Sequence, residues 1–239
     1  MEFAKMRREL MRLAKSKTIF LDETYLRLST VRHRTLVAPG EQRFVVVEET
    51  DAYASRYDMI ACCSGEKVFP PMIFTPEDRK RLGVRGITKK LLLSYIRSTL
   101  AQAVGNLNLF PLTLVVDRSP VHNVSEILQT FHDAGCQNMQ TVYFMPPNSA
   151  KRLSPLDNSI FHHWKEVVRK RGRITKDNIV QIMTDEWGNI KESTLRAHHR
   201  HCGLTHNSNT YFDCPDPSSH QHHLHIIFNI IEFLNKQTV

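Results

Sequence analysis

Two short apolar runs that each stop at an aspartate constrain this chain most. Thr18-Ile19-Phe20-Leu21 stops at Asp22, and Leu112-Thr113-Leu114-Val115-Val116 stops at Asp117. Both have the length and the aliphatic content of a buried strand. A third acid, Asp157, follows the proline-rich stretch from Met145 through Pro146, Pro147, Asn148 and Ser149 to Ser154-Pro155-Leu156. Two strands ending in acids, with a later acid behind such a loop, predict one shared metal site. Hard divalent cations take carboxylate oxygens, and two such ions about 3.5–4 Å apart clamp the attacking and leaving oxygens of a phosphodiester.

The pattern between these acids predicts the frame. Residues 2–15 carry Phe3, Met6, Leu10 and Leu13 at helical spacing. Lys17 to Asp22 is expected as a strand, with short strands at Tyr25–Leu28 and Phe44–Val47 around a basic loop. Tyr57–Cys63 and Lys67–Phe74 form a hairpin about Ser64-Gly65-Glu66, and Pro70 and Pro71 push its second arm to a sheet edge. Thr75–Thr88 is expected as a polar loop and Lys89–Val104 as a helix. Leu112–Asp117 is a strand. Asn123 caps a helix running through Ala134, with Gly135 beyond it. Met139–Phe144 is the fifth strand, and Ser154 caps a helix that starts at Pro155. Helical patterns return at 175–187 and 192–202, and Leu224–Ile231 is a further short element.

A meander followed by alternating strands and helices predicts an α/β domain with a mixed sheet flanked by helices. The succession matches the ribonuclease-H-like fold, in which the first and fourth of five strands are central neighbours. Asp22 and Asp117 then end those two strands, and Asp157 opens the helix after the fifth. The expected division is a catalytic domain at 1–172 and a helical extension with a His-rich tail at 173–239.

Charge and cysteine usage narrow the setting. The net charge of +8 favours a polyanionic partner. Five cysteines without a CxxC pair make no disulfide framework and fit a reducing compartment, with Cys62, Cys63 and Cys136 as buried thiols. The first residues lack a signal-peptide core, and no apolar run reaches membrane-span length. The expected location is intracellular: the nucleus in a eukaryote, otherwise the cytoplasm, with no membrane partner.

Thr18-Ile19-Phe20-Leu21-Asp22-Glu23-Thr24 resembles the first acidic motif of the mariner/pogo superfamily of DDE/DDD transposases. Val115-Val116-Asp117-Arg118-Ser119-Pro120-Val121-His122 resembles the second. Met145 to Lys165, through Pro-Pro-Asn-Ser and Ser-Pro-Leu-Asp, resembles the third and is the most specific. Trp187, Ser193-Thr194-Leu195 and His201-Cys202-Gly203-Leu204 resemble the segment after the catalytic core. The resemblance covers residues 1 to about 205. It implies that Asp22, Asp117 and Asp157 hold two Mg²⁺ or Mn²⁺ ions as a DDD set. It also implies double-stranded DNA as partner, both transposon ends and target DNA. The sequence departs from the family in three ways. Arg118 stands where Asn usually follows the second acid. The final tail matches nothing in the family. The family's N-terminal helix-turn-helix domains are expected to be missing, which implies a fragment, a truncated gene product or a separate DNA-binding subunit; a homodimer is the other expected partnership.

Further candidates lie around the acids. His122 is expected to contact a phosphate, to hold the active-site loop, or simply to pack at or cap the helix start, and Glu23 to point to the other sheet face and make a salt bridge. Asn148, Lys151 and Arg152 are expected at the DNA, together with a backbone track formed by Lys165, Arg169, Lys170, Arg171 and Arg173. The histidines of the tail, with Cys202 and Cys214, match no standard zinc module, so their density is treated as compositional. Two rival functions share the fold. One is a domesticated, inactive DNA-binding or scaffold protein of transposase origin, and the other is a different ribonuclease-H-like nuclease.

Overall fold

The computed structural model describes residues 3–28, 40, 55–171 and 174–204. The expectations for Phe44–Val47, for Arg173 and for the His-rich tail, including Leu224–Ile231, lie outside them.

Five strands form one mixed sheet in the order β3-β2-β1-β4-β5. They are β1 (Thr18–Arg27), β2 (Arg56–Cys63), β3 (Met72–Phe74), β4 (Leu112–Val116) and β5 (Met139–Phe144). β1 runs antiparallel to β2 and parallel to β4, and β5 runs parallel to β4. The first and fourth strands are thus the central neighbours, and the sheet flanked by helices is the expected α/β frame. β3 is an edge strand of three residues, because Pro70 and Pro71 cannot donate to a ladder.

Two expectations are corrected. β1 does not stop at Asp22, and Tyr25–Leu28 is not a separate strand. β1 continues through the polar Asp22-Glu23-Thr24 because β2 pairs with it as far as Arg27↔Arg56. The ladder holds the backbone extended where the side-chain pattern gives no reason to be. Nor is Thr75–Thr88 a loop throughout. α2 (Pro76–Leu82) opens with a capping box between Thr75 and Asp78 and closes at Gly83, whose φ of 66° is left-handed. α2 buries none of its residues, so no apolar stripe announces it.

The helices cover both faces. Alternation along the strands sends Ile19, Leu21, Ile60, Cys62, Leu114 and Val116 to one face. There they meet α3 (Lys89–Tyr95), the π-helical turn Ile96–Leu100, α4 (Ala101–Gly105) and α5 (Val124–Asp133). Asn123 caps α5 as expected, its side chain accepting the Glu126 N–H. Phe20, Met59, Ala61, Cys63 and Val115 point to the other face. That face is covered by α1 (Phe3–Arg12), α6 (Ala150–Leu153), the π-helical turn Leu156–Ile160, α7 (Phe161–Lys170), α8 (Ile179–Gly188) and α9 (Glu192–His201). Trp164 and Trp187 are buried there, and each indole N–H donates to a carbonyl, of Met183 and of Phe69. Residues Met1–Thr205 form one compact unit. Cys62, Cys63, Cys136 and Cys202 are free and buried. No helix among the described residues is long and apolar enough to cross a membrane.

Candidate active site

The parallel pairing of β1 with β4 ends at Phe20↔Val115. Asp22 and Asp117 each lie two residues beyond that pair, so by the period of two they share its face, the one covered by α6 and α7. Asp157 reaches the same place from the π-helical turn before α7. Ser154 positions it as expected: its hydroxyl accepts the Asp157 N–H and its carbonyl accepts the Asn158 N–H. Leu156 and Ile160, buried in the core on either side, anchor the turn that presents Asp157 to solvent.

Asp22 is 6% exposed. Its Oδ1 accepts the Glu23 N–H at 2.7 Å, while its buried Oδ2 has no donor. Asp157 stands close enough to share a proton with it. Burial first, then the charge and contact of Asp157, push the Asp22 carboxyl well above the ordinary range. A buried carboxylate oxygen without a donor, beside the solvent-facing Asp157, needs a proton or a cation.

Asp117 has a different neighbour. His122 Nδ1–H donates to the Asp117 carbonyl at 3.0 Å, and the same nitrogen is 2.8 Å from Asp117 Oδ1, off the line of that bond. His122 Nε2–H donates to Glu23 Oε1 at 3.1 Å. Both ring nitrogens face acceptors, so both donate and the ring is an imidazolium. Burial opposes that charge, but the bonds to Asp117 and Glu23 outweigh it and carry the pKa up to about 10. The His122 side chain is 0% exposed. The expected phosphate contact of His122 therefore gives way to another expected role, holding the loop after β4. Glu23 makes the salt bridge foreseen for it. The partnership itself was hidden, since 99 residues separate the two.

An open cleft of about 500 Å³ fronts these groups. Asp117, Asp157, Asn148 and Lys151 line it, as do Pro146, Pro147 and Arg118. Asn148 takes a left-handed φ of 58° at the turn before α6. Ser149 is buried, its hydroxyl donating to the Pro146 carbonyl at 2.6 Å, and so braces the turn. Arg118 reaches the Met145 carbonyl and lies 5.9 Å from the Phe144 ring, which fixes a cation on the cleft wall. Arg152 is exposed on α6 and Lys170 at the end of α7. The expected basic track is more balanced than its sequence implied. Arg169 pairs with Glu166 at 3.0 Å, and Arg171 pairs with the buried Glu186 brought in by α8. Only the fold supplies that second acid.

The donor set around the cleft suits a hard divalent ion. It consists of carboxylate oxygens, and Asp22 Oδ2 and Asp117 Oδ1 are buried without a hydrogen-bond donor. The three acids do not close into one cage. Among the described residues no three acidic, histidine or cysteine side chains converge tightly enough to hold a metal. Asp22 and Asp157 make one half, and Asp117, turned towards His122, makes the other.

Known proteins share this frame. Residues 83–197 match the family described as DDE superfamily endonuclease. No curated protein matches the chain. Among solved structures, the Mos1 transposase paired-end complex with left transposon end aligns with a TM-score of 0.61 at 10% identity, over 85% of this chain and 60% of that one. The Mos1 mariner paired-end complex with Mn gives 0.61 at 10% identity, over 85% and 61%. The catalytic domain of Mos1 mariner transposase gives 0.54 at 10% identity, over 85% and 91%. At such identity the likeness is one of fold, and the chain spans about 60% of the length of the transposases in those complexes. Residues 83–197 are thus similar to the DDE superfamily endonuclease family, and the chain has the fold of the mariner transposase catalytic domain.

Proposed function

We propose that the cleft lined by Asp117 and Asp157, with Asp22 beside Asp157, cleaves a phosphodiester bond of double-stranded DNA and transfers the resulting strand, as a transposase does at the ends of a mobile element. The observation that carries this reading is the Asp22–Asp157 contact beside Asp117. Asp22 and Asp157 interact at one rim of the sheet, with buried oxygens of Asp22 and Asp117 left without donors, next to an open cleft of about 500 Å³. The Mn-containing complex and the transposon-end complex of the similar fold support a divalent metal and a DNA partner.

Asp22, Asp157 and Asp117 would hold Mg²⁺ or Mn²⁺. Bound there, the metal would activate a water or a 3′-hydroxyl and stabilise the charge on the phosphate and the leaving oxygen. The remaining work belongs to the chain. His122 and Glu23 keep the loop that carries Asp117 in place. Arg118 and Lys151, cations on the cleft wall, would bind and orient the phosphate. The β1–β4 ladder fixes the two strand-borne acids to each other.

Nicking of supercoiled plasmid tests the reading. The wild type should relax the plasmid with Mn²⁺ or Mg²⁺ and not with EDTA. Asp117→Asn and Asp157→Asn should reduce nicking to background while circular dichroism remains that of the wild type. A wild type that binds duplex DNA but never nicks it would favour the inactive, domesticated protein. Cleavage confined to the RNA strand of a hybrid would favour another ribonuclease-H-like nuclease.

A further inference from the structure

Two elements carry the acids of the Asp22–Asp157 half: β1, and the π-helical turn before α7. α9 packs against both. Leu195, His199 and Cys202 stand at i, i+4 and i+7 on α9 and its end, which makes one stripe, and all three are buried.

The stripe is fixed at each contact. His199 is 2% exposed, and its Nδ1–H donates to the Leu195 carbonyl at 2.9 Å, which holds the ring against its own helix. The ring meets Phe20 edge to face, with centroids 5.6 Å apart. Phe20 precedes Asp22 by two residues on β1, so the residue that the histidine packs on lies one pleat repeat, about 7 Å, from the acid. Cys202 turns to the other element, on which α9 also packs. Asn158, next in sequence to Asp157, brings its side chain to the Cys202 sulfur. The Asn158 N–H is held from the opposite end by the Ser154 carbonyl. α9 itself is tied down at its close. Gly203 ends it with a left-handed φ of 64°, and Arg7 Nε of α1 donates to the Gly203 carbonyl at 3.3 Å. The His198 ring lies 5.7 Å from that of His163 on α7.

Neither His199 nor Cys202 lines the cleft. Groups just outside a ligand set orient the ligands and tune their affinity for the ion. We infer that His199 and Cys202 position Asp22 and Asp157 against each other and so set the affinity of that half for its divalent ion. The ion rests on the proposed function, and the brace rests on this geometry. Both are positioning residues, acting on the acids through Phe20 and Asn158.

Calorimetric titration of the full chain with Mn²⁺, with Asp157→Asn as the blank, tests the brace without any cleavage. The binding that depends on Asp157 should weaken about ten-fold in Cys202→Val and in His199→Leu, the lower end of what outer neighbours of a metal site contribute. Cys202→Ser keeps a polar partner for Asn158 and should retain wild-type affinity. Asn158→Ala should weaken binding as much as Cys202→Val does. The double variant should lose no more than either one, since both cut a single contact. His199→Leu disturbs the core and can unfold the protein, so Cys202→Val and Asn158→Ala decide the matter. Wild-type affinity in those two variants overturns the brace and leaves the proposed function standing. A lowered Tm with unchanged affinity has the same meaning, because it is what a purely structural contact would give. A wild type without Asp157-dependent binding overturns the metal reading and the brace together.

Discussion

Asp22 and Asp117 occupy equivalent places on neighbouring parallel strands, two residues past the last paired position, yet they are neutralised differently. Asp117 has its counter-charge built in: a buried imidazolium that Glu23 holds from the far side. Asp22 faces another acid, Asp157, with no cation in hydrogen-bond contact among the described residues. The difference teaches where the fold stores its electrostatic demand. The Asp117 half has a cation beside it although its Oδ1 lacks a hydrogen-bond donor, while the Asp22–Asp157 half is unfavourable until a proton or an ion arrives. Strain left on a ligand set in this way makes metal binding a stabilising event.

The contrast is broken most severely by removing its built-in cation. His122→Ala would leave the Glu23 carboxylate and the Asp117 carbonyl without their shared donor, and the Asp117 carboxylate without the cation beside it. Breaking a fully buried pair costs about 3–5 kcal/mol. Glu23 and Asp117 are 19% and 33% exposed, so solvent reduces the cost. Calorimetry should show a loss of about 2–3 kcal/mol, or roughly 4–12 °C in Tm. An unchanged Tm would mean that the histidine is a bystander. The same bond has a pH signature. The folded pKa of about 10 lies above the unfolded value of 6.5. Its stabilisation is thus fully present below pH 6.5 and is lost as pH rises through about 10. His122→Ala should lack that part of the decline.

Filling the incomplete half is the next largest effect. Mn²⁺ at about thirty times its dissociation constant should stabilise the protein by ~2 kcal/mol, raising Tm by roughly 4–8 °C over EDTA. Asp157→Asn should remove most of that increment while Asp58→Asn, remote from the cleft, should keep it. An equal increment in Asp157→Asn would place the ion elsewhere.

The smallest effect has the opposite sign from the first. In EDTA, Asp157→Asn replaces an acceptor facing Asp22 by an amide that can donate. The protein should become slightly more stable at neutral pH, by about 0.5 kcal/mol after discounting for the exposure of Asp157. The sign follows from the raised folded pKa of Asp22. Its native state holds the proton longer than the unfolded chain, so wild-type stability is greatest below the unfolded value near 3.8 and declines as pH rises through the folded pKa. The advantage of Asp157→Asn should accordingly vanish in melts near pH 3.5. A gain that persists there would owe nothing to Asp22.

Much of this site was legible before the fold. Asp117 behind an unbroken apolar run, Asn123 as a cap and Ser154 before Asp157 are local signals, carried by neighbours in sequence. Other parts were illegible for a common reason. The extension of β1 through Asp22-Glu23-Thr24 depends on β2, whose residues come more than thirty positions later. α2 was overlooked although Thr75-Pro76-Glu77-Asp78 spells a capping box, because an exposed helix has no apolar period. Arg171 looked free because its acid, Glu186, arrives only when α8 folds back.

The sequence by itself determined the succession of the five sheet strands and the helices that bury an apolar face, the three acids and the basic character of the chain, since each depends on short apolar periods, caps and composition. Tertiary structure alone decided which acids press together, that His122 turns inward to Glu23, and that Glu186 meets Arg171. Those outcomes are pairings between distant residues, set by sheet register and by the burial that α7 and α8 impose. No local pattern encodes them, because burial and a partner's charge exist only once the chain has closed upon itself.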